Sequence, residues 1–220
     1  MGKLFNDGWI IQPHMNSKQA AVTAMMSALA IAVAYSRGLA VSSLPGVFEL
    51  MTVMIFIAGF CFGASVGVSV GIISLSIYMI VPYPFAHPAA WLYTISPVLL
   101  VVMAGLGALF GFVGSLSSKF LKPAGWGRFS LSLAVIGFVL TLTYDLVSSL
   151  GFALAYPAFS DPMQAIYLTF VPLYYPWPPI IHTFTNTIIF AVLAPPIIQG
   201  IRRLPETLNT GEPKQRTVPV

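Results

Sequence analysis

Three side chains that can ionise or form several hydrogen bonds interrupt long apolar stretches of this sequence. Asp145 follows Arg128 by 17 residues, which is roughly 25 Å along a helix. His182 and Asn186 are four residues apart, which places them on one face of a helix, one turn apart. Ionisable groups at membrane depth are unfavourable and usually face a cavity or a partner. The three side chains can bind the polar edge of a heterocycle, because the amide both donates and accepts; alternatively, they bond to one another and fix helix packing.

Two charged residues are expected on the same side of the protein. Glu49 begins an apolar stretch just after Pro45-Gly46, where it either stabilises a helix N-terminus or binds a solute. Arg37 ends the first apolar stretch, and it can pair with Glu49 or meet an anionic solute. Ser149 shares the helix face of Asp145. The predicted substrate-binding residues are Arg37, Glu49, Trp91, Tyr93, Asp145, Ser149, Tyr174, His182 and Asn186.

The composition indicates what surrounds these residues. Hydrophobic residues make up 57% of the 220 positions and charged residues only 7%, whereas a soluble domain carries roughly 25% charged residues. So little charge cannot cover a water-exposed surface, which excludes cytosolic enzymes and nucleic-acid-binding proteins. The single cysteine, Cys61, excludes a disulfide framework and a cysteine-based metal site. We therefore predict an all-α integral membrane protein that needs neither a cofactor nor a metal.

A helix needs about 20 apolar residues to cross the hydrocarbon core, and the chain has six candidates. The predicted spans cover residues 19–36, 47–61, 63–81, 91–116, 128–156 and 179–201. The second and third form one stretch too long for a single helix, so we predict a hairpin broken at 59–63, where glycine can form the turn. This membrane domain, 19–203, lies between a cytoplasmic N-terminal segment, 1–18, and a disordered cytoplasmic tail, 204–220.

The basic residues predict the orientation of the bundle. With both termini in the cytoplasm, nine of the ten Lys and Arg residues fall on the cytoplasmic side and only Arg37 falls outside, a strong positive-inside bias. Asp145, His182 and Asn186 then share the outer third of the bundle, and no matching polar set occurs in the inner half. A channel should carry polar groups along its whole path. The sequence therefore predicts a site with a single, outer entrance.

Prolines and aromatic residues fill two outer connections, at 82–88 and 157–178. The second contains Tyr167, Tyr174 and Trp177. One interpretation is an aromatic belt at the membrane interface. The other is a lid that stacks over a planar solute.

Small residues repeat along two of the spans. Ala20, Ala24 and Ala28 recur every four residues, which lets another helix approach closely, either within the bundle or from a second membrane subunit. Glycines at the same spacing within 63–71 are predicted to pack internally.

That glycine stretch also contains a G-x-S-x-G string around Ser65, which is typical of serine hydrolases. Ser65 should lie at the inner end of its span and His182 at the outer end of another, too far apart for a nucleophile and its base. The sequence has no G-x-x-x-x-G-K-[ST] motif to hold ATP phosphates. We therefore predict no enzyme activity, and any ATP-driven transport requires another chain.

Taken in order, these motifs resemble those of the substrate-binding (S) component of energy-coupling factor transporters. The resemblance covers about residues 18–203. It rests on six spans with both ends inside, the alanine repeat, Pro45-Gly46, the glycine-marked hairpin, Tyr144-Asp145, and His182 with Asn186.

The resemblance implies a function that composition does not. Members of this family bind a vitamin-like or related micronutrient from outside with high affinity, in the plasma membrane. They work with a second membrane subunit, the T component, and with two ATPase subunits. The resemblance implies that Ala20, Ala24 and Ala28 contact the second subunit. Two other classes stay open: an autonomous small carrier or channel, which transports without an ATPase, and a membrane scaffold, which binds no small molecule.

Overall fold

The structure is a computed structural model, and it describes residues 15–40, 49–81, 96–123, 126–155, 161, 163 and 179–203. Within these ranges the regular secondary structure is entirely helical, as predicted. The helices with described bounds are α1 (Ser17–Ala40), α2 (Leu50–Phe62), α3 (Ala64–Ile80), α4 (Pro97–Phe120), α5 (Trp126–Ala155), α6 (Pro179–Val192) and α7 (Ala194–Arg202).

The helices differ in whether they are long enough to cross a membrane. In the described part of the chain, the stretches with sufficient length and hydropathy are Ser17–Ser36, Pro97–Phe120, Trp126–Gly151 and Ile180–Arg202. α2 and α3 are also apolar, but they contain 13 and 17 residues, or about 20 and 25 Å of helix. The helices follow the order of the predicted spans, while six complete crossings and cytoplasmic termini remain predictions.

The start of α4 differs from the prediction. The helix begins at Pro97 rather than at residue 91, and the Ser96 hydroxyl accepts a hydrogen bond from the Leu99 N–H at 3.5 Å. A serine cap followed by proline is a strong helix-start signal, which the apolar pattern alone overlooked. Trp91 and Tyr93 precede this helix, and both lie outside the described residues.

The predicted sixth helix is divided in two. α6 ends at Val192, Leu193 forms a turn, and α7 begins at Ala194. Pro195 and Pro196 cause the break, because proline has no N–H with which to continue the hydrogen bonds of α6. The two segments still form one apolar stretch of membrane-crossing length.

The predicted hairpin between α2 and α3 is confirmed. Gly63 separates the two helices and has φ 92°, a conformation that glycine adopts without the penalty of a side chain. Its N–H donates to the Gly59 carbonyl oxygen at 3.0 Å, which closes the last turn of α2. The chain therefore reverses within a single residue.

Helix α2 lies at the centre of the bundle. α1, α3 and α4 pack around it, α4 also packs along α3, and α7 reaches its C-terminal part. α5 pairs with α6 and connects to the rest chiefly through α4. The α2 side chains with 0% exposure are Met51, Ile55, Phe56, Ile57 and Ala58.

Glycine backbones form the contact between the hairpin and α4. A Cβ atom on Gly67 would overlap backbone atoms of Gly59 and Gly111, and one on Gly71 would overlap those of Gly107. The predicted internal packing is therefore confirmed for Gly67 and Gly71 but not for Gly63, where an added Cβ atom would meet nothing within 4 Å. Such close approach increases dispersion contact, which is the main attraction between helices in lipid.

The alternating direction of the helices gives the bundle two ends. The Tyr35 hydroxyl on α1 donates to the Val81 carbonyl after α3 at 2.7 Å, which joins chain segments at one end. The Arg202 guanidinium lies over the Phe60 ring, 4.9 Å from its centroid, at the other end. We name the first the Glu49 end, where α2, α4 and α6 begin and α1, α3 and α5 end. The second is the Gly63 end, which contains the hairpin.

Candidate functional site

Asp145 lies on α5 near the Glu49 end, and only 7% of the residue is exposed. Its Oδ1 lies 2.8 Å from His182 Nδ1, and its Oδ2 accepts a hydrogen bond from the Thr183 hydroxyl at 2.9 Å. A buried carboxylate is tolerated when it is paired and hydrogen-bonded, and both oxygens meet that condition. The carboxylate thus points into the bundle between α5 and α6, not toward lipid.

The hydrogen bonds around Asn186 indicate which ring nitrogen of His182 carries the proton. The Glu49 N–H donates to Asn186 Oδ1 at 2.9 Å, so the amide nitrogen Nδ2 is the atom that lies 3.1 Å from His182 Nε2. An amide nitrogen only donates, so Nε2 accepts and the ring proton is on Nδ1, where it faces Asp145. This pattern of bonds fits the Nδ1–H tautomer of the imidazole.

Glu49 joins this network through its backbone but not through its carboxylate. Oε2 lies 3.8 Å from His182 Nε2, which is too far for a hydrogen bond. Glu49 occupies the N-cap position of α2, as the interpretation of an acid at a helix N-terminus requires, although its carboxylate makes no capping bond to the N–H groups of α2. The side chain is only 10% exposed, and no described residue donates a hydrogen bond to its oxygens.

The antiparallel register of α5 and α6 explains why these residues meet. Asp145 on α5 is opposite His182 on α6. Gly137, eight residues before Asp145, is opposite Phe190, eight residues after His182, and the Phe190 ring occupies the space that a side chain at Gly137 would fill. Both pairs have the same sum of residue numbers, as an unbroken antiparallel pair requires. Asn186, one turn after His182, therefore lies deeper in the bundle, and it is 1% exposed.

Two buried hydroxyl groups beside the network bond to their own helices. The Ser149 hydroxyl donates to the Asp145 carbonyl oxygen at 2.6 Å, and the Thr52 hydroxyl donates to the Glu49 carbonyl oxygen at 3.0 Å. Such bonds satisfy a buried hydroxyl within its own helix. Ser149 therefore lies next to the other predicted residues, and its predicted contact with a solute stays a prediction.

Thr183 is the contact of Asp145 that the sequence analysis missed. A buried carboxylate needs a donor for each oxygen, and His182 can supply only one from Nδ1. The polar pair His182-Thr183 in an apolar stretch was the available signal. Neighbouring residues on a helix point about 100° apart, so one carboxylate between them can accept from both.

Aromatic side chains close the bundle beneath the network. Phe56, Phe110 and Phe190 are each 0% exposed. The Phe56 and Phe190 ring centroids lie 5.3 Å apart at 72°, an edge-to-face contact. Tyr144 connects this layer to the network, because its ring lies 6.2 Å from both the Phe110 and the His182 rings.

The half of the bundle toward the Gly63 end is less purely apolar than predicted. Ser115 and Ser117 on α4 are buried there. These are small hydroxyls, however, and the buried ionisable side chains among the described residues are Glu49, Asp145 and His182. Ionisable groups inside the described bundle are therefore confined to the Glu49 end.

The remaining predicted residues have no described side-chain position. The Arg37 backbone belongs to α1, but its side chain lies outside the described part of the structure. Trp91, Tyr93 and Tyr174 also lie outside it, as do the connection predicted at 82–88 and, apart from Asp161 and Met163, the connection predicted at 157–178.

The alanine repeat lies on the outer surface of α1. Ala20, Ala24 and Ala28 are exposed, whereas Met26 and Ala30 face the bundle and are at most 3% exposed. The repeat therefore does not serve packing within the described bundle. It leaves a surface of small side chains that another helix can approach closely.

Ser65 and His182 lie at opposite ends of the protein. Ser65 is in the first turn of α3, next to Gly63, whereas His182 contacts Glu49 at the start of α2. The 13 residues of α2 separate the two positions by about 20 Å. The G-x-S-x-G string does not form a catalytic pair with this histidine.

A comparison with protein families identifies one match along the chain. The family described as ECF transporter, substrate-specific component, matches residues 18–198. Comparisons with curated proteins and with solved structures found no match. The match includes the described helices except Ser17 at the start of α1 and the last four residues of α7, and it contains Glu49, Asp145, His182 and Asn186. Because it covers most of the chain, the protein belongs to the family of substrate-specific components of ECF transporters, which are multi-pass membrane transport proteins rather than enzymes.

Proposed function

We propose that this protein is the high-affinity substrate-binding subunit for uptake of a vitamin-like or related micronutrient, energised by separate ATPase subunits. The observation that carries the proposal is the buried network of Glu49, Asp145, His182 and Asn186 at one end of an apolar bundle. Intramembrane ionisable residues usually belong to a functional site. Family membership supplies the transport role, and the network supplies a place for the substrate.

The proposed orientation has the Glu49 end facing outside and both termini in the cytoplasm. Basic residues near the Gly63 end support it, since positive charge accumulates on the cytoplasmic side of membrane proteins. These residues are Lys18, Lys119, Lys122, Arg128, Arg202 and Arg203. The substrate then enters from outside and meets the network before it reaches the aromatic layer. We place the protein in the plasma membrane.

Within the proposed site, the roles of the network residues follow from their bonds. Asp145 has both oxygens occupied, so it acts as a positioning residue that holds the His182 ring in one tautomer. Glu49 then presents its carboxylate toward the mouth, and Asn186, which bonds the Glu49 backbone and His182, lies below it as a proposed substrate contact. Ser149, Arg37 and the aromatic residues Trp91, Tyr93 and Tyr174 complete the proposed substrate contacts.

The proposed partner surface is the exposed alanine repeat. Ala20, Ala24 and Ala28 lie in the half of α1 nearer the Gly63 end, which is the cytoplasmic half in the proposed orientation. A T component docking there would be close to the ATPases that drive uptake. Substrate binding and partner docking would therefore use opposite halves of the bundle.

Two measurements test this function. The purified protein is denatured, and the small molecules released are identified by mass spectrometry; the same compound, radiolabelled, is then used for uptake into proteoliposomes. We expect uptake only when the T component, both ATPases and ATP are present. Uptake by the isolated protein would instead support an autonomous carrier. Absence of any specifically bound small molecule, together with absence of uptake by the full assembly, would contradict the proposal.

A further inference from the structure

The Glu49 carboxylate is the one ionisable group of the network that the described residues leave without a partner of suitable geometry. Its side chain is 10% exposed, so water solvates it poorly. A carboxylate in such surroundings needs a cation, hydrogen-bond donors or a proton. Its own helix provides none of these, because the Glu49 side chain makes no capping bond to α2.

The neighbouring polar groups are already engaged with other acceptors. His182 Nε2 lies 3.1 Å from Asn186 Nδ2, and its distance of 3.8 Å from Glu49 Oε2 is within the range of an ion pair but beyond that of a hydrogen bond. The Thr52 hydroxyl donates to the backbone carbonyl of Glu49 rather than to its carboxylate. The network therefore presents an acceptor without supplying its donor.

Asp145 is an example in this bundle of a carboxylate that has a hydrogen-bond donor at each oxygen. It has nearly the same exposure as Glu49, 7% against 8% for the whole residue, yet it accepts at both oxygens, from His182 and Thr183. The two carboxylates are therefore equally buried but differ in their hydrogen bonds: that of Asp145 is bonded within the protein, whereas that of Glu49 can bond another molecule.

The distribution of positive charge points the same way. The Lys and Arg side chains that the structure describes lie at the Gly63 end, the opposite end of the bundle from Glu49. Among the side chains that the structure describes, the Glu49 end thus combines two acids and an imidazole; the Arg37 side chain, which starts from the end of α1 on the same side, lies outside the described part. An anionic group arriving at the Glu49 carboxylate would meet like charge in surroundings of low polarity, where repulsion is strong.

We propose that the substrate carries a cationic nitrogen group with N–H donors, such as an amidinium, a protonated aminoheterocycle or an ammonium, and that this group pairs with the Glu49 carboxylate. The inference rests on the proposed function and specifies the substrate class for the same site. The Asn186 amide is held one turn below His182 by the Glu49 backbone and by His182 Nε2, so it is a second polar group close to the proposed site. A planar, delocalised cation suits both, because two N–H groups can bond a carboxylate side by side.

Three probes of one shape test the charge preference: benzamidinium, benzamide and benzoate. Their dissociation constants are measured by ligand-detected NMR on the purified full-length protein after removal of any bound metabolite. We expect benzamidinium to bind at least about tenfold more tightly than benzamide, and benzoate to bind most weakly, since a desolvated charge pair contributes more than a neutral contact. Equal or tighter binding of benzoate, or no detectable binding of benzamidinium, would overturn the inference.

Variants assign the preference to this carboxylate. Glu49→Gln should bind benzamidinium and benzamide equally, because it keeps the shape and removes the charge. Glu49→Asp should retain the preference for the cation. Asp161→Asn removes an acid from an exposed position and should behave like the wild type. An unchanged preference in a folded Glu49→Gln protein would overturn the inference; if that variant does not fold, the ranking of the three probes on the wild type decides alone.

The outcome is separable from that of the transport proposal. If the full assembly takes up an anionic micronutrient that binds Glu49→Gln as tightly as the wild type, the transport role stands and the cation inference fails. If benzamidinium binds as expected but no uptake occurs with the full assembly, the site stands and the transport role fails.

Discussion

The two ends of this bundle are built on opposite physical principles. At the Glu49 end, side chains of three helices are joined by hydrogen bonds between ionisable and amide groups. Toward the Gly63 end, helices approach until glycine backbones touch, and Gly67 leaves no space for a methyl group. The first arrangement depends on side-chain atoms that donate and accept hydrogen bonds, whereas the second depends on the lack of side chains at glycine.

The difference assigns different tasks to the two ends. A hydrogen-bonded network holds side chains in fixed directions and can recognise a solute, but it contributes only about 1 kcal/mol per bond to a membrane bundle. Close backbone packing offers no group that binds a solute, and it makes the bundle rigid through many small dispersion contacts. Between the network and the hairpin turn at Gly63 lie the fully buried rings of Phe56, Phe110 and Phe190. Substitutions at the two ends should therefore affect different measurements.

The largest expected effect is that of Ala24→Trp on transport. A large ring on the exposed alanine surface should prevent a partner helix from approaching, so uptake by the full assembly should fall to background while the isolated protein binds substrate normally. Leu131→Trp is the matched control, because Leu131 is also exposed, at 68%, and lies on α5 near the same end. Normal uptake by Ala24→Trp would mean that this half of α1 is not the docking surface.

The next effect is on stability, from Gly67→Ala. The added methyl group overlaps the backbone of Gly59 and Gly111, so the helices must separate, at a loss of about 3 kcal/mol or more. Gly105→Ala is the control, since a Cβ there meets no atom within 4 Å and alanine favours a helix by about 1 kcal/mol. Thermal unfolding in detergent compares the two variants. Equal midpoints would show that the close glycine contact is not needed.

The smallest of these effects is that of Asp145→Ala on substrate binding. The substitution leaves His182 Nδ1 and the Thr183 hydroxyl without their acceptor, so the imidazole loses its fixed tautomer and orientation. We expect about tenfold weaker binding of the co-purified compound, or about 1.4 kcal/mol. Asp145→Asn should recover most of it, because its amide oxygen can still accept from Nδ1.

The control for this effect is Thr143→Ala, whose hydroxyl bonds only to the Val139 carbonyl of its own helix. It should bind the compound as the wild type does. Unchanged binding by Asp145→Ala would remove the positioning role of Asp145 from the proposal.

Much of the architecture was predictable because it depends on local rules. Hydropathy located the helices, and the excess length of one apolar stretch required the break that Gly63 provides. The four-residue spacing of His182 and Asn186 placed them on one face before any packing was known. The predictions failed where a local signal was overlooked: the Ser96 cap before α4, and the Pro195-Pro196 pair that divides the last apolar stretch.

The sequence alone was enough to place each polar side chain along the axis of the bundle, because the rise per residue of an α-helix is constant. The packed bundle was needed to show toward which neighbour each of these side chains points. Whether a carboxylate faces lipid, a histidine or open space depends on how each helix is rotated about its axis and which neighbour it meets, and contacts between distant segments govern both. For that reason Asp145 and Glu49, two buried acids at one end, could be located together from sequence, but only the packed bundle showed that described side chains donate hydrogen bonds to the Asp145 carboxylate and none to that of Glu49.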